Sequence, residues 1–376
     1  MYYFDNAAST RPTQDILKTY TTVSEQFFAN PSSVHSFGEK ASQLLSQARQ
    51  QIADILQFEQ SEIFFTSSGT ESNNWVLTGI VQALKERHPD KNRILISAIE
   101  HGSMTAQIER LVQQGFKVDL IPVTLQGLVD IDKFASLLDN DVLLVSTMTV
   151  NNEIGALQPL LEISLELMQY PSIAWHVDAV QATTSELASI HNNRIDLVTL
   201  SSHKFHAVRG AGILAKRKRV ASHPMIMGGG QESGQRSSTE NLGAIVAMSK
   251  ALRLVSEKQA DTHERLANYK AQIITALKEN GWRIHTPEQS SAHIICASFE
   301  GIPGEVLVHA FAEKDIFIST TSACSSRRRS AHATLRAMGV PESISESAIR
   351  MSMGVLTMQQ DVDYLVSQIP HITNKF

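Results

Sequence analysis

Val142-Leu143-Leu144-Val145-Ser146-Thr147, then Leu160 to Met168, then Ala174-Trp175-His176-Val177-Asp178 is the stretch that decides the fold. The outer two runs are apolar and rich in Val and Leu, as strands buried on both faces must be. The middle run has helical spacing. Strand, helix, strand at this distance is a parallel crossover unit. The same rhythm extends upstream. Ile63-Phe64-Phe65-Thr66 reads as a strand and Thr70 to Lys85 as a helix. Arg93 to Ser97 and Lys117 to Pro122 read as strands, each followed by a helical period, at Ser103 to Gln114 and Ile131 to Leu138. The expectation is an α/β fold, a mostly parallel sheet flanked by helices.

After Ser201 the alternation weakens. Gly228-Gly229-Gly230 marks a loop, and a helical pattern runs from Asn241 to Asn280 with no proline between Pro224 and Pro287. Beyond it His293 to Phe299 and Ile316 to Ser319 are strand-like, and Asp361 to Ile369 is helical. This block reads as a smaller α+β C-terminal domain. The expected division is a large domain at 16–255 and a small one built from 1–15 plus 256–376.

The bulk numbers bound the function. A chain of 376 residues, 42% hydrophobic, can bury two cores. A formal net charge of -5 gives no signature of nucleic-acid or membrane binding. No apolar run approaches the roughly 18 residues of a membrane span. Met1-Tyr2-Tyr3-Phe4-Asp5-Asn6 resembles neither a secretory leader nor a transit peptide, so a cytoplasmic location is expected. The two cysteines, Cys296 and Cys324, suit a reducing compartment, and no Cys/His quartet has zinc spacing.

In open sheets of this kind ligands sit at the carboxyl ends of the strands. The polar residues of interest fall there. Asp178 ends one apolar run, and Ser201-Ser202-His203-Lys204 follows another, Leu197 to Leu200. A lysine amine and a buried acid at neighbouring strand ends are what pyridoxal phosphate requires, the lysine for a Schiff base and the acid for the pyridine nitrogen. Lys204 also reads as a surface lysine and Asp178 as a turn residue. Ser68-Gly69-Thr70 opens a helix after a strand, which suits an anion and equally an ordinary helix cap. His101 is an acid/base or ring-stacking candidate, or a helix cap. Asn152 and Gln181 are candidates for ring contacts, or polar loop residues. Arg350 is a candidate clamp for a carboxylate, or one half of a structural salt bridge. Cys324 stands among small polar residues ahead of Arg327-Arg328-Arg329, a setting that favours the thiolate, whereas Cys296 reads as a buried inert cysteine.

Together these stretches resemble the cysteine desulfurases, within the class V, fold type I, pyridoxal-phosphate enzymes. The resemblance spans Asp5 to Arg350. It is carried by Asn30-Pro31-Ser32-Ser33-Val34-His35, Thr70-Glu71-Ser72-Asn73-Asn74, Glu100-His101, Val150-Asn151-Asn152-Glu153-Ile154-Gly155, His176-Val177-Asp178-Ala179, Ser202-His203-Lys204, Arg236-Ser237-Ser238-Thr239 and Ser322-Ala323-Cys324. It implies that Lys204 holds pyridoxal 5'-phosphate as a Schiff base and that Asp178 pairs with the ring nitrogen. Gln181 and Asn152 would lie by the ring, and His101 would stack on it and move protons. Gly69, Thr70, Ser201 and His203 would hold the phosphate, with Thr239 arriving from the second subunit of a homodimer. Asn30 and Arg350 would bind the carboxylate of L-cysteine, and Cys324 would attack its sulfur, giving alanine and a persulfide. The residues after Cys324 are more basic than in the housekeeping iron–sulfur members, and the chain runs only a short way past Arg350. The implied sulfur acceptor is therefore a protein, either an iron–sulfur scaffold or a tRNA thiolation enzyme. Two rival activities remain at this level, selenocysteine lyase and class V aminotransferase. A third alternative is a catalytically silent scaffold for a sulfur-transfer partner. No direct nucleic-acid contact and no membrane contact are expected.

Overall fold

The computed structural model describes residues 1–321 and 332–376. Seven strands form the main sheet in the order Ile63–Thr66, Gly212–Lys216, Leu197–Ser201, Ala174–Asp178, Val142–Met148, Arg93–Ser97, Lys117–Ile121. Six run parallel; Gly212–Lys216 is antiparallel to both its neighbours. Side chains alternate across the sheet, as the strand period of two demands. Phe65, Val145, Trp175, Val177 and Val198 enter one core, which is covered by the helices Ser36–Leu56 and Leu242–Glu257. Phe64, Leu144, Ala174 and Leu197 enter the other, covered by Trp75 through Leu84 and by Leu111. Burial on both faces explains why these strands are continuous apolar runs in the sequence.

A third core gathers Phe4, Leu266, Ile273, Ile295, Phe311, Met351 and Leu365. It is built on a four-stranded antiparallel sheet in the order Ser319–Thr320, Ala348–Ser352, Ile294–Ser298, Arg283–Ile284. The N-terminal strand Tyr2–Tyr3 pairs in parallel with Ile316–Phe317. The chain's first residues are thereby held to its last third.

Several elements differ from the sequence reading. The helical pattern of 241–280 is two helices, Leu242–Glu257 and Gln259–Glu279, because Lys258 leaves helical geometry at φ -109, ψ 10. The first helix packs into the large core and the second into the small one. The 70–85 pattern contains a π-type turn at Val76–Ile80. The strand-like 316–319 run contributes to two different sheets. The strand Gly212–Lys216 and the helices Gln14–Gln26 and Ser36–Leu56 are additions. Gly212 admits its strand beside the helix-opening turn, since a Cβ there would lie 2.5 Å from the Ser68 carbonyl carbon.

Candidate active site

Register brings the strand ends together. Met148 pairs with Asp178, and Asp178 with Thr199, two residues before Ser201. Asp178 is buried and accepts two hydrogen bonds, from Asn73 Nδ2 at 2.8 Å and from the Val180 N–H at 3.0 Å. Beneath it His176 bridges Ser146 and Thr199 at 2.9 and 3.0 Å. Burial pulls the His176 imidazole down to about 4, so it stays neutral near pH 7.

Lys204 closes the short 3₁₀ turn Ser202–Lys204 that follows its strand. Its Nζ donates to the carbonyls of Ala7 and Ala8, at 2.5 and 3.0 Å. Gln181 Nε2 donates to the same Ala7 carbonyl at 2.9 Å. One backbone oxygen of the N-terminal segment therefore ties the Lys204 turn to the turn after Asp178. That segment is anchored in turn: Thr10 donates to the His203 carbonyl through both its N–H and its hydroxyl, each at 2.8 Å. His203 bonds Ser9 Oγ at 3.3 Å, and burial, with Lys204 and Arg209 nearby, pulls its imidazole down to about 4.

Gly69 opens the helix Gly69–Trp75, with Ser68 as the cap that accepts from the Glu71 N–H. A Cβ on Gly69 would stand 3.0 Å from the Val180 side chain and 3.2 Å from Ser201 Cβ. The helix start thus abuts both strand-end turns. Thr70 is exposed beside it. His101 caps the helix Gly102–Thr105, its Nδ1 accepting from the Ser103 N–H at 3.2 Å.

Arg350 lies in the strand Ala348–Ser352 and is buried. It donates to the Asn152 carbonyl and pairs with Asp5, each at 2.9 Å, while its Nε has no partner among the described residues. Both sequence readings of Arg350 thus have support: a structural ion pair, and a cation beside the Asn151-Asn152-Glu153 turn with donor capacity left over. Burial lifts the Glu153 carboxyl on that turn to about 7, against the pull of Thr334, Arg350 and His101. Glu100 is lifted well above the ordinary range by burial and by Asp178, against the pull of a backbone hydrogen bond from Met148.

Asn30 is exposed, its Oδ1 accepting from the Ser32 N–H at 2.9 Å. Thr239 is exposed, just after Ser238 in the left-handed region at φ 126. Neither touches the cluster around Asp178. Cys324 lies outside the described residues. Cys296 is the buried inert thiol expected, pushed well up by burial. The sequence reading gave no role to Asn73, Ser103 or the Ala7 carbonyl. A signal for Asn73 existed: it stands four residues after Gly69 on one helix, hence on the same face.

The residues present fit pyridoxal phosphate. Asp178 is a buried carboxylate with acceptor capacity left beyond its two bonds, Lys204 is held at the neighbouring strand end, and Gly69 leaves its helix start open where a side chain would intrude. Fold and site together define an open α/β sheet whose strand ends gather a lysine and a buried carboxyl group. The Aminotransferase class-V family model matches residues 2–365. A NifS/IcsS protein homolog of Lactobacillus delbrueckii subsp. bulgaricus is 41% identical over 100% of this chain and 98% of its own length. The cysteine desulfurase IscS of Clostridium botulinum is 34% identical over 98% and 94%. A solved NifS-like protein superposes with a TM-score of 0.92 at 33% identity, covering 100% of this chain and 99% of that one. The chain belongs to the class V aminotransferase family, a family of pyridoxal-phosphate enzymes, and within it to the cysteine desulfurases.

Proposed function

We propose that this protein converts L-cysteine to L-alanine and holds the released sulfur as a persulfide on Cys324, for transfer to a protein acceptor. The observation that carries the reading is the shared Ala7 carbonyl, which draws Lys204 and Gln181 together next to the buried Asp178. Family membership supports the substrate, as does SspA, solved in complex with cysteine, which superposes with a TM-score of 0.79 at 27% identity.

Lys204 and Asp178 would hold pyridoxal phosphate at ring aldehyde and ring nitrogen, with Gln181 and Asn152 beside the ring. Gly69, Thr70, Ser201 and His203 would take the phosphate. His203 serves there as a hydrogen-bonding group rather than a cation, since it is neutral near pH 7. Bound there, the cofactor supplies the electron sink that lets the substrate's carbon–sulfur bond break. Asp178 accepts from two N–H donors and has acceptor capacity left for a protonated base that faces it. His101 would lie against the ring and carry protons. Arg350 and Asn30 take the substrate carboxylate, Arg350 through the donor capacity that Asp5 and Asn152 leave over. The Cys324 thiolate attacks the substrate sulfur. The sulfur–sulfur bond forms, the Cβ–Sγ bond breaks, and its electron pair stays on Cβ, which takes a proton to become the methyl group of alanine.

The same proposal includes a homodimer, with Thr239 of the partner subunit at each phosphate, and a cytoplasmic location. The acceptor belongs to one of two classes, iron–sulfur scaffold or tRNA thiolation enzyme. No helix among the described residues is long and apolar enough to cross a membrane. The division at 16–255 and at 1–15 plus 256–376 is supported by separate cores on either side of Lys258.

Purified protein should be yellow and should release sulfide from cysteine in the presence of a reductant. Lys204→Ala should be colourless. Cys324→Ser should keep the colour and release no sulfide. A Lys204→Ala protein with an unchanged spectrum removes the cofactor assignment, and Cys324→Ser turnover at the wild-type rate removes the persulfide.

A further inference from the structure

A continuous chain of hydrogen bonds joins the two ends of the candidate site. Asn73 is 1% exposed and spends both Nδ2 protons, one on Asp178 Oδ2 and one on Ser103 Oγ, each at 2.8 Å. Ser103 Oγ lies 2.8 Å from His101 Nδ1, and the Ser103 N–H points at the same nitrogen. The directions of these bonds follow from the donors. An amide turned the other way would set its oxygen against the Asp178 carboxylate, so Nδ2 must face Asp178. Its second proton then enters Ser103 Oγ, which leaves the hydroxyl proton for His101 Nδ1. A backbone N–H aimed at Nδ1 can only donate. Nδ1 is therefore an acceptor, and the neutral imidazole carries its proton on Nε2. The fold accepts a cost for this arrangement: Asn73 Oδ1 is buried with no partner among the described residues.

We propose that Asn73 is a positioning residue for this site: it donates in both directions, holding the Asp178 carboxyl on one side and, on the other, turning the Ser103 hydroxyl so that it joins the Ser103 N–H as a donor to His101 Nδ1. This rests on the roles given to Asp178 and His101 under Proposed function. Asn73 touches neither substrate nor cofactor. It sets the polarity of the chain that links the ring-nitrogen acid to the proton carrier. A purely structural amide would do neither.

The near-isosteric Asn73→Asp variant reverses that polarity. The Ser103 hydroxyl turns to the new carboxylate, and His101 Nδ1 is left with the Ser103 N–H as its donor. Long-range proton–nitrogen correlation spectra of histidine-labelled, cofactor-free protein read the result. Wild type should show His101 protonated on Nε2. Asn73→Asp should keep the proton on Nε2 and show a shifted Nδ1 resonance, because that nitrogen has lost its hydroxyl donor. Glu153 also faces His101 and Glu100 precedes it, and both are unchanged in the variant, so the difference isolates position 73. The new carboxylate beside Asp178 should also weaken pyridoxal phosphate binding about tenfold, read by fluorescence titration. Adding Ser103→Ala should leave the Nδ1 resonance where Asn73→Asp put it and leave binding weak, because the hydroxyl donor to His101 is already lost. Asn73→Ala should also bind about tenfold more weakly, having lost a donor to a charged group. The proposal is overturned by wild-type His101 protonated on Nδ1, or by an Asn73→Asp protein whose His101 spectrum matches wild type. The His101 measurement needs no cofactor, so it stands or falls separately from the colour of Lys204→Ala.

Discussion

Four histidines are held neutral by burial: His176, His203 and His285 at about 4, and His293 at about 3. In the unfolded chain each would take a proton below about 6.5. The unfolded state therefore binds more protons than the folded one across that window, so stability is full above about pH 6.5 and drains as pH falls towards 4. Glu153, raised to about 7, works in the opposite sense, because its contribution fades as pH rises from about 4.5 to 7. Glu100 shares that direction. His88, His206 and His332 are lowered as well and Glu186 and Glu240 raised, so lowered histidines still outnumber raised glutamates and urea midpoints should fall steadily from pH 6.5 to 4. A flat profile over that range would contradict the burial of these imidazoles. Residues at this scale were unevenly legible. Asp178 and Lys204 announce themselves by ending apolar runs. Asn73 does not, because a buried amide on a helix has the same sequence appearance as a solvated one.

At the scale of elements, strands flanked by turns were readable almost to the residue. Ile63–Thr66, Arg93–Ser97 and Ala174–Asp178 match their apolar runs. The break at Lys258 left no trace, since neither glycine nor proline marks it and the next helix restarts at once. Gly212–Lys216 was hidden for a related reason: it joins the sheet antiparallel, outside the alternating rhythm that exposed the others. Its first residue carries a testable demand. A methyl group on Gly212 would meet the Ser68 carbonyl carbon at 2.5 Å and Thr66 Oγ1 at 2.7 Å. Both belong to the turn that opens the Gly69 helix, where the backbone has little room to yield. Gly212→Ala should destabilise by about 1–3 kcal/mol in urea unfolding. It should also weaken cofactor binding, because the strained turn is the proposed phosphate cradle. Wild-type stability would show that the turn can move aside.

At the scale of the molecule, the site depends on a segment far from it in sequence. Phe4 is fully buried in the small core. Its N–H donates to the Phe317 carbonyl at 2.8 Å, and its own carbonyl accepts from the Ser352 N–H at 2.6 Å. Three residues on, Ala7 receives Lys204 and Gln181. Phe4→Ala should cost about 3–5 kcal/mol. Amide exchange of residues 5–10 should quicken with it, measurable by mass spectrometry. Unchanged exchange there would mean that the segment is held by the site and not by the core. None of this dependence was legible in the sequence, where residues 1–15 show only a motif and no partner.

The Phe4 anchor has a consequence for the order in which the protein is completed. A chain made from its N-terminus has residues 1–10 available first, yet their partners at 317 and 352 arrive almost last. The strands of the main sheet, the last of which ends at Lys216, are all made before those partners. The Phe4 anchor can therefore form only after Ser352 has been made, later than the strands that carry Asp178 and precede Lys204.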